Sequence, residues 1–440
     1  MRGGIAAARQ CIESMLVLIA AFGSHGDVLP MVAIGAEMKR RGHRVVVGTM
    51  EPFGPVVLRA GLEFEQIGTE QQYREGLGAA DLWRPIGGFR RLFDFASQSI
   101  RPAYDFVVRF RDRQSGTLVL ASTLAIGARL AHDALKVPLV TVHLSPMLIQ
   151  SRYAPPKLPY VAEIKIPPWL EWEFQLGVDE WFLDPLITPQ INAFRAELGL
   201  PPIKRLRHWW NAPRRVLLMW PEWFAPPQED WPKQMVPVGF PRVDDLGGEG
   251  GDLDPALEAF LSAGDPPVAV TFGTAMRSGE ALYRAAIRAV LGAGRRCLVL
   301  SPVEVDIPAG QRERVFRAGY VPFGKVLPRC AALIHHGGIG TTSQAFAAAT
   351  PQLIVPLAFD QFDNAVRVKK LGCGAVVGRL AFRLGLGGRK LKRLIASTSV
   401  VEACRSVASR PAGDAVARAC DEIEATYARR GEGKASVPAA

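Results

Sequence analysis

Apolar residues along this chain fall into short continuous runs, and a stretch with helical spacing follows each run. Met15-Leu-Val-Leu-Ile-Ala-Ala-Phe22 leads through Gly23-Ser-His-Gly-Asp-Val28 into an amphipathic stretch that ends at Arg41 and Gly42 and is followed by Arg44-Val-Val-Val-Gly48. This order predicts strand, loop, helix, strand, the βαβ unit of a parallel sheet. The runs Leu118 to Ala121 and Leu139 to Val142 also lack polar alternation, so their strands are expected to be covered on both faces. The same texture returns later, with strands expected at Val268 to Phe272, Cys297 to Leu300, Ala331 to Ile334 and Gln352 to Val355.

Between the two halves lies the acidic, Gly-dense segment Asp244-Asp-Leu-Gly-Gly-Glu-Gly-Gly-Asp252, which reads as a linker; Asp254 and Pro255 then suit the N-cap and first position of a helix. The expected organisation is an α/β fold of two doubly wound, Rossmann-like domains facing across a cleft. Residues 1–14 form an extension, 15–243 the first domain, 244–254 the linker, 255–415 the second domain, and 416–440 a C-terminal helix and tail. From Pro155 to Pro237 prolines crowd in, and eight of the nine tryptophans lie between Trp169 and Trp231, interleaved with Lys204, Arg205, Arg207, Arg214 and Arg215. A helix over Asp179 to Leu198 is expected there, with loops and short helices elsewhere rather than regular sheet. These aromatic side chains either fill the space between domains or wall a pocket for an amphiphilic molecule and dock shallowly on an anionic membrane leaflet.

Composition narrows the classes. Over 440 residues, 48% hydrophobic and 22% charged residues describe a globular chain and exclude disordered, collagenous and coiled-coil ones. A net charge of +11 biases the protein toward anionic partners, but its basic residues are not gathered into a recognisable nucleic-acid module, so nucleic acid is not expected as a partner. Cys11, Cys297, Cys330, Cys373, Cys404 and Cys420 form no C-x-x-C pair, which argues against a zinc site or disulfide framework and for a reducing cytosol. Arg2 and Arg9 before the run at Met15 imitate a signal peptide, yet the run is too short and no small-residue cleavage site follows, so it reads as a buried strand. No run approaches the ~18 apolar residues of a membrane span, which leaves only peripheral contact at the inner membrane face.

The stretch Leu333-Ile-His335-His336-Gly337-Gly338-Ile339-Gly340-Thr341-Thr342-Ser343-Gln344 carries the most chemistry. A strand ends in histidine and glycines and a small-residue helix begins, so free N–H groups and a positive helix end converge on one point that suits a phosphate. His336 and Thr341 can add hydrogen bonds. The alternative is a tight turn that merely needs glycine. Asp360 and Gln361 follow the strand that ends near Pro356, where they can hold sugar hydroxyls beside the same point. Gly319-Tyr320-Val321-Pro322 offers an aromatic face for a base, and Phe272-Gly273-Thr274 a second loop for a diphosphate. Asp252-Leu-Asp254 has the form of a metal-binding pair but lies in the linker with a capping role open to it. Gly23-x-x-Gly26 lacks the third glycine of a dinucleotide fingerprint, which argues against a dehydrogenase.

His336-Gly-Gly-Ile-Gly-Thr-Thr-Ser-Gln344, with Pro351, Pro356 and Asp360-Gln361, resembles the donor-sugar signature of family 1 glycosyltransferases, which have the two-domain GT-B fold. Within that family, Gly23-Ser-His-Gly-Asp-Val-Leu-Pro30, Trp223-Phe-Ala-Pro-Pro-Gln228 and Asp360-Gln-Phe-Asp-Asn-Ala365 are most similar to the rhamnosyltransferases of rhamnolipid synthesis.

The resemblance implies an inverting, metal-independent transfer of a hexose, rhamnose among the candidates, from a nucleoside diphosphate sugar to a hydroxylated, lipid-like or other small acceptor. The nucleotide sugar is a substrate, and no cofactor is implied. His336, Gly338, Gly340 and Thr341 would meet the diphosphate with help from Thr274. Tyr320 would stack on the base, Val321 would read its edge, Gln344 would face the ribose, and Asp360 and Gln361 would hold the sugar.

Two departures matter. Many uridine-linked enzymes carry Glu where Gln344 stands, and a neutral amide tilts the donor toward a thymidine diphosphate sugar. The base is expected to be Asp27, with His25 as its rival, and Leu120-Ala-Ser-Thr123 offers no acidic partner. A catalytically silent homologue that binds nucleotide sugar or lipid for a partner enzyme is the alternative.

Overall fold

The chain was analysed as a computed structural model, which describes residues 14–84, 87–112, 116–159, 166–243, 246, 253–273, 276, 279–307, 310–411 and 413–429. The run after Ser14 forms β1 (Leu16–Ala20), buried along its whole length. It sits inside a seven-stranded sheet with β2 (Arg44–Met50), β3 (Glu63–Gly68), β4 (Thr117–Ser122), β5 (Leu139–His143), β6 (Val216–Leu218) and β7 (Met235–Pro237), in the order β3-β2-β1-β4-β5-β6-β7. A second, six-stranded sheet holds β8 (Val268–Thr271), β9 (Cys297–Leu300), β10 (Val315–Ala318), β11 (Ala332–His335), β12 (Gln352–Ile354) and β13 (Gly374–Val376), in the order β10-β9-β8-β11-β12-β13. Every pairing is parallel. Continuous apolar strands are stable only with both faces covered, and β1, β4, β5, β8, β9 and β11 are buried throughout.

In each sheet the strand order reverses once, between β1 and β4 and between β8 and β11. At such a point the loops leaving the strands' carboxyl ends diverge and open a crevice. The loops concerned are 22–27 after β1, 272–273 after β8 and 336–338 after β11.

The segment read as free of regular sheet contributes β6 and β7 to the first sheet, which corrects that expectation; three-residue strands between prolines carry no readable period. The expected helix over Asp179 to Leu198 is the end of a longer one. Pro168–Val178 continues through a π-helical stretch, Asp179–Leu183, into Asp184–Glu197. The tryptophans divide: Trp220 is fully buried and Trp210 nearly so, whereas Trp169 and Trp181 are 66% and 81% exposed. The helical run from Pro168 to Glu197 carries six acidic residues against the single Arg195, and Lys157 and Arg205 pair with its Glu171 and Glu180.

The helix Ala415–Ala428 packs back on His25–Arg40 of the first sheet. Arg41 donates to Asp421 at 2.7 Å and to Glu424 at 2.8 Å. The two sheets also meet where the Lys157 N–H donates to Asp363 at 2.9 Å and where Trp223 packs edge-on against Phe346. Cys297, Cys330, Cys373, Cys404 and Cys420 are free and buried; Cys11 and most of the linker lie outside the described residues. Among the described residues no helix is long and apolar enough to cross a membrane.

Candidate active site

The loop after β1 is held from two sides. The Phe22 N–H donates to the Ser122 hydroxyl at the end of β4, 3.0 Å away, and Ser24 caps the helix His25–Arg40. Asp27, in the first turn of that helix, completes a capping box: one carboxylate oxygen, Oδ2, accepts from the Ser24 N–H at 2.7 Å and from its hydroxyl at 2.9 Å. Gly23 adopts φ +132°, and a Cβ there would stand 2.5 Å from that oxygen, so only glycine leaves room for the carboxylate. Burial pushes the Asp27 carboxyl up, against the pull of the two Ser24 hydrogen bonds. His25 lies edge-on to Phe53 at 4.9 Å, its Nδ1 is buried without a partner, and burial lowers its proton affinity.

At the end of β11 the two histidines have different surroundings. His335 is locked in the scaffold, with Nε2 3.0 Å from Gln352 Oε1 and Nδ1 accepting from the Gly337 N–H at 3.2 Å. His336 lines the cavity, and its buried Nδ1 has no partner. Burial pushes it down to about 4, so the imidazole is neutral at physiological pH and can offer one N–H without carrying a charge. Two glycines make space for this ring: a Cβ at Gly338 would lie 2.5 Å from Nε2, and one at Gly273 would lie 3.0 Å from Cε1. Gly338 is also the N-cap of the helix Ile339–Ala347, whose first turn carries Gly340 and Thr341 at the cavity.

Asp360 stands at the N-cap of the helix Gln361–Lys370, directly after Phe359, whose φ of +54° is the left-handed conformation that a bulky residue adopts only under constraint. Asn364 Nδ2 donates both to Asp360 Oδ2 at 2.7 Å and to the Gly337 carbonyl at 2.9 Å, clipping the two loops together. Burial raises the Asp360 carboxyl to about 7; the Asn364 hydrogen bond opposes this and the charge of Asp27 adds to it. Gln361 is turned inward, its Oε1 accepting from the N–H groups of Leu357 and Ala358 at 2.8 and 3.1 Å. Its oxygen therefore braces the loop that carries Asp360.

Asp27, His25, Tyr320, Val321, His336, Gly338, Gly340, Thr341, Gln344, Asp360 and Gln361 all line one cavity of about 460 Å³ between the two sheets. Thr274 lies outside the described residues, although its neighbour Gly273 lines the cavity. On the side of the first sheet the wall is apolar, with Leu77, Phe93, Met147, Leu183, Leu206 and Trp210. Trp83 and Phe359 also line it, Trp83 edge-on to His336 at 6.4 Å, and neither had a signal in the sequence. Asn364 stood within a quoted motif without a role. Asp254 N-caps the helix Pro255–Ser262, accepting from Ala256 N–H at 2.7 Å, while Asp252 is outside the described residues. Among the described residues no three His, Cys, Asp or Glu gather as metal ligands.

Residues 17–153 match the family described as glycosyltransferase family 28 N-terminal domain, and residues 305–423 match the erythromycin biosynthesis protein CIII-like C-terminal domain. Over 427 residues the chain is 30% identical to O-mycaminosyltylonolide 6-deoxyallosyltransferase of Streptomyces fradiae, covering 92% of this chain and 94% of that one. Its fold matches the solved glycotransferase of kitacinnamycin with a TM-score of 0.72 at 20% identity, covering 94% of this chain and 99% of that one. It also matches spinosyn rhamnosyltransferase complexed with thymidine diphosphate, with a TM-score of 0.62 at 17% identity over 96% of this chain and the whole of the other. Enzymes of rhamnolipid synthesis are not among these three.

Proposed function

The chain belongs to the glycosyltransferases of GT-B fold, and from that premise we propose that it moves a hexose, with inversion, from a nucleoside diphosphate sugar to a hydroxyl of a largely apolar small molecule. The observation that carries this reading is the placement of Asp27 and Asp360 in one cavity, from opposite sheets, beside His336 and the start of a helix. The domain of residues 15–243 takes the acceptor and that of 255–415 the donor, with 244–254 joining them.

In the reaction, the acceptor oxygen attacks the anomeric carbon while Asp27 takes its proton, and the bond from that carbon to the diphosphate breaks. The raised proton affinity of Asp27 makes it a better base than an ordinary carboxylate, and its second oxygen is left for the acceptor. Charge developing on the diphosphate meets the N–H groups opening the helix Ile339–Ala347, the neutral His336 imidazole and the Thr341 hydroxyl. Asp360 receives hydrogen bonds from sugar hydroxyls, Tyr320 and Val321 take the base, and Gln344 the ribose.

Gln344 supports a thymidine-linked donor, and so does the thymidine diphosphate complex of the related fold. The apolar wall supports an acceptor with few polar groups, whether a hydroxylated lipid or a polycyclic aglycone. Rhamnose as the sugar rests on the motif likeness alone.

A panel of thymidine and uridine diphosphate sugars, scored first by thermal stabilisation and then by mass spectrometry with hydroxylated apolar acceptors, tests this. A bound donor at 100 times its dissociation constant should stabilise the fold by about 2.7 kcal/mol. Binding without transfer to any acceptor, or no stabilisation by any nucleotide sugar, would count against the proposal.

A further inference from the structure

From Asn364 to Val401 the chain carries nine Lys and Arg and no Asp or Glu, so nine of its eleven net positive charges come from this one segment. Its second half folds as two short helices, Arg379–Arg383 and Gly387–Ala396. Phe382, Leu391 and Leu394 face inward and are buried, which supplies the packing the segment needs. Arg379, Arg383, Arg389, Lys390, Lys392 and Arg393 are all exposed. Among the described residues none of Arg383, Arg389, Lys390, Lys392 and Arg393 has a carboxylate partner, unlike Arg44 with Glu63 or Arg329 with Glu258 elsewhere on the surface. Between these cations stand Leu380, 71% exposed, Leu384, 73% exposed, and Leu386, 43% exposed.

Clustered cations without carboxylate partners set up a local positive field, and leucines held in water add nothing to the fold, so this patch suits a partner that is anionic with an apolar interior. We propose that residues 379–393 dock the protein on an anionic phospholipid bilayer, with the cations at the headgroups and Leu380, Leu384 and Leu386 in the acyl boundary. Single-stranded nucleic acid would use exposed aromatic side chains for stacking, and the one aromatic residue here, Phe382, is buried. The docked surface is tied to the active-site cavity: Arg379 donates to the carbonyl of Trp83, 3.4 Å away, and Trp83 lines that cavity. Docking therefore holds the cleft beside the membrane, where an apolar acceptor would be concentrated. The proposal does not rest on the reaction proposed above, because binding is measured without donor or acceptor.

The test is flotation of the full chain with vesicles of equal parts phosphatidylglycerol and phosphatidylcholine, against vesicles of phosphatidylcholine alone. The wild type should favour the anionic vesicles at least tenfold and release them at high salt. Arg389→Gln, Lys392→Gln and Arg393→Gln together should weaken binding roughly a hundredfold, about fivefold per cation, and Leu380→Ser with Leu384→Ser about tenfold, both with an unchanged melting midpoint. The proposal is overturned if the wild type ignores anionic vesicles, if both variants bind them as the wild type does, or if a single-stranded oligonucleotide binds more tightly and displaces the vesicles.

Discussion

Asp27 and Asp360 enter the same cavity from opposite sheets, and the charge of Asp27 adds to burial in raising the Asp360 carboxyl to about 7. Two carboxyl groups that feel one another in a poorly hydrated cleft titrate as a pair, and the pair's protonation is set where a sugar and an acceptor would meet. One of them is held in place by the strained Phe359 backbone and by Asn364, the other by Ser24. The site thus keeps in reserve a repulsion that hydrogen-bond donors on a bound sugar can relieve.

Asp360→Asn tests the pair through pH. With its folded value near 7 against 3.8 for a free carboxyl, Asp360 contributes stability that is complete below about 3.8 and lost as pH rises through 7. The asparagine variant should therefore melt above the wild type at pH 8, by up to roughly 4 kcal/mol and less where water screens the site, and lose that advantage below pH 4. Because Asp27 is already charged when Asp360 titrates, and Asp360 is neutral when Asp27 takes up its proton, the acidic limb of kcat/KM, which needs Asp27 ionised, should stay where it is. A melting difference that does not vary with pH would refute the pairing.

Asp27→Asn should cut turnover by on the order of a hundredfold or more while leaving donor affinity intact, because the base is lost but no donor contact is. Asparagine keeps an oxygen for the Ser24 N–H, so the capping box should persist, and loss of a buried charge should raise the melting midpoint at neutral pH. His25→Ala should be milder. Silencing by His25→Ala with near-normal turnover of Asp27→Asn would reverse the assignment of the base.

Much of this arrangement is legible in the residues, for physical reasons that differ from place to place. β1, β4, β5, β8, β9 and β11 are central parallel strands, and burial on both faces makes each a continuous apolar run. β3 is an edge strand with Glu63 exposed, so it carries no such run, and β6 and β7 are three residues each among prolines. The loops at His25 to Asp27 and His336 to Gly338 announce themselves by their glycines and polar groups. The contact of Trp83 with His336 joins residues about 250 apart in the chain, and nothing local marks it. The exposure of Leu380 and Leu384 is equally hidden, because nothing local separates them from Phe382, Leu391 and Leu394, which fill the core.

Gly338→Ala isolates the role of His336. Gly338 has φ −60° and ψ 140°, which alanine adopts freely, so the backbone is not strained; the three atoms nearest the added methyl all belong to the imidazole, with Nε2 at 2.5 Å. Displacing that ring should weaken nucleotide diphosphate binding at least tenfold, about 1.4 kcal/mol, with a much smaller effect on melting. In a His336→Ala background the same substitution should cost nothing further, since the atoms it would strike are gone. Additive losses in the double variant, measured by calorimetry, would show that Gly338 acts through something other than His336.

Gln344→Glu tests the choice of donor base. Gln344 lines the cavity four residues beyond Gly340 on the helix that would receive the diphosphate, at the position where a carboxylate could accept from both the 2′ and 3′ hydroxyls of a ribose. A hydrogen bond to a charged acceptor contributes roughly 1.5–3 kcal/mol against about 1 for a neutral one, so the variant should bind uridine diphosphate perhaps tenfold more tightly. Thymidine diphosphate should gain less, because its deoxyribose has no 2′ hydroxyl to donate. Titration of both nucleotides into wild type and variant separates the cases: equal gains for the two, or a wild type that already prefers uridine diphosphate by more than about tenfold, would remove the argument for a thymidine-linked sugar.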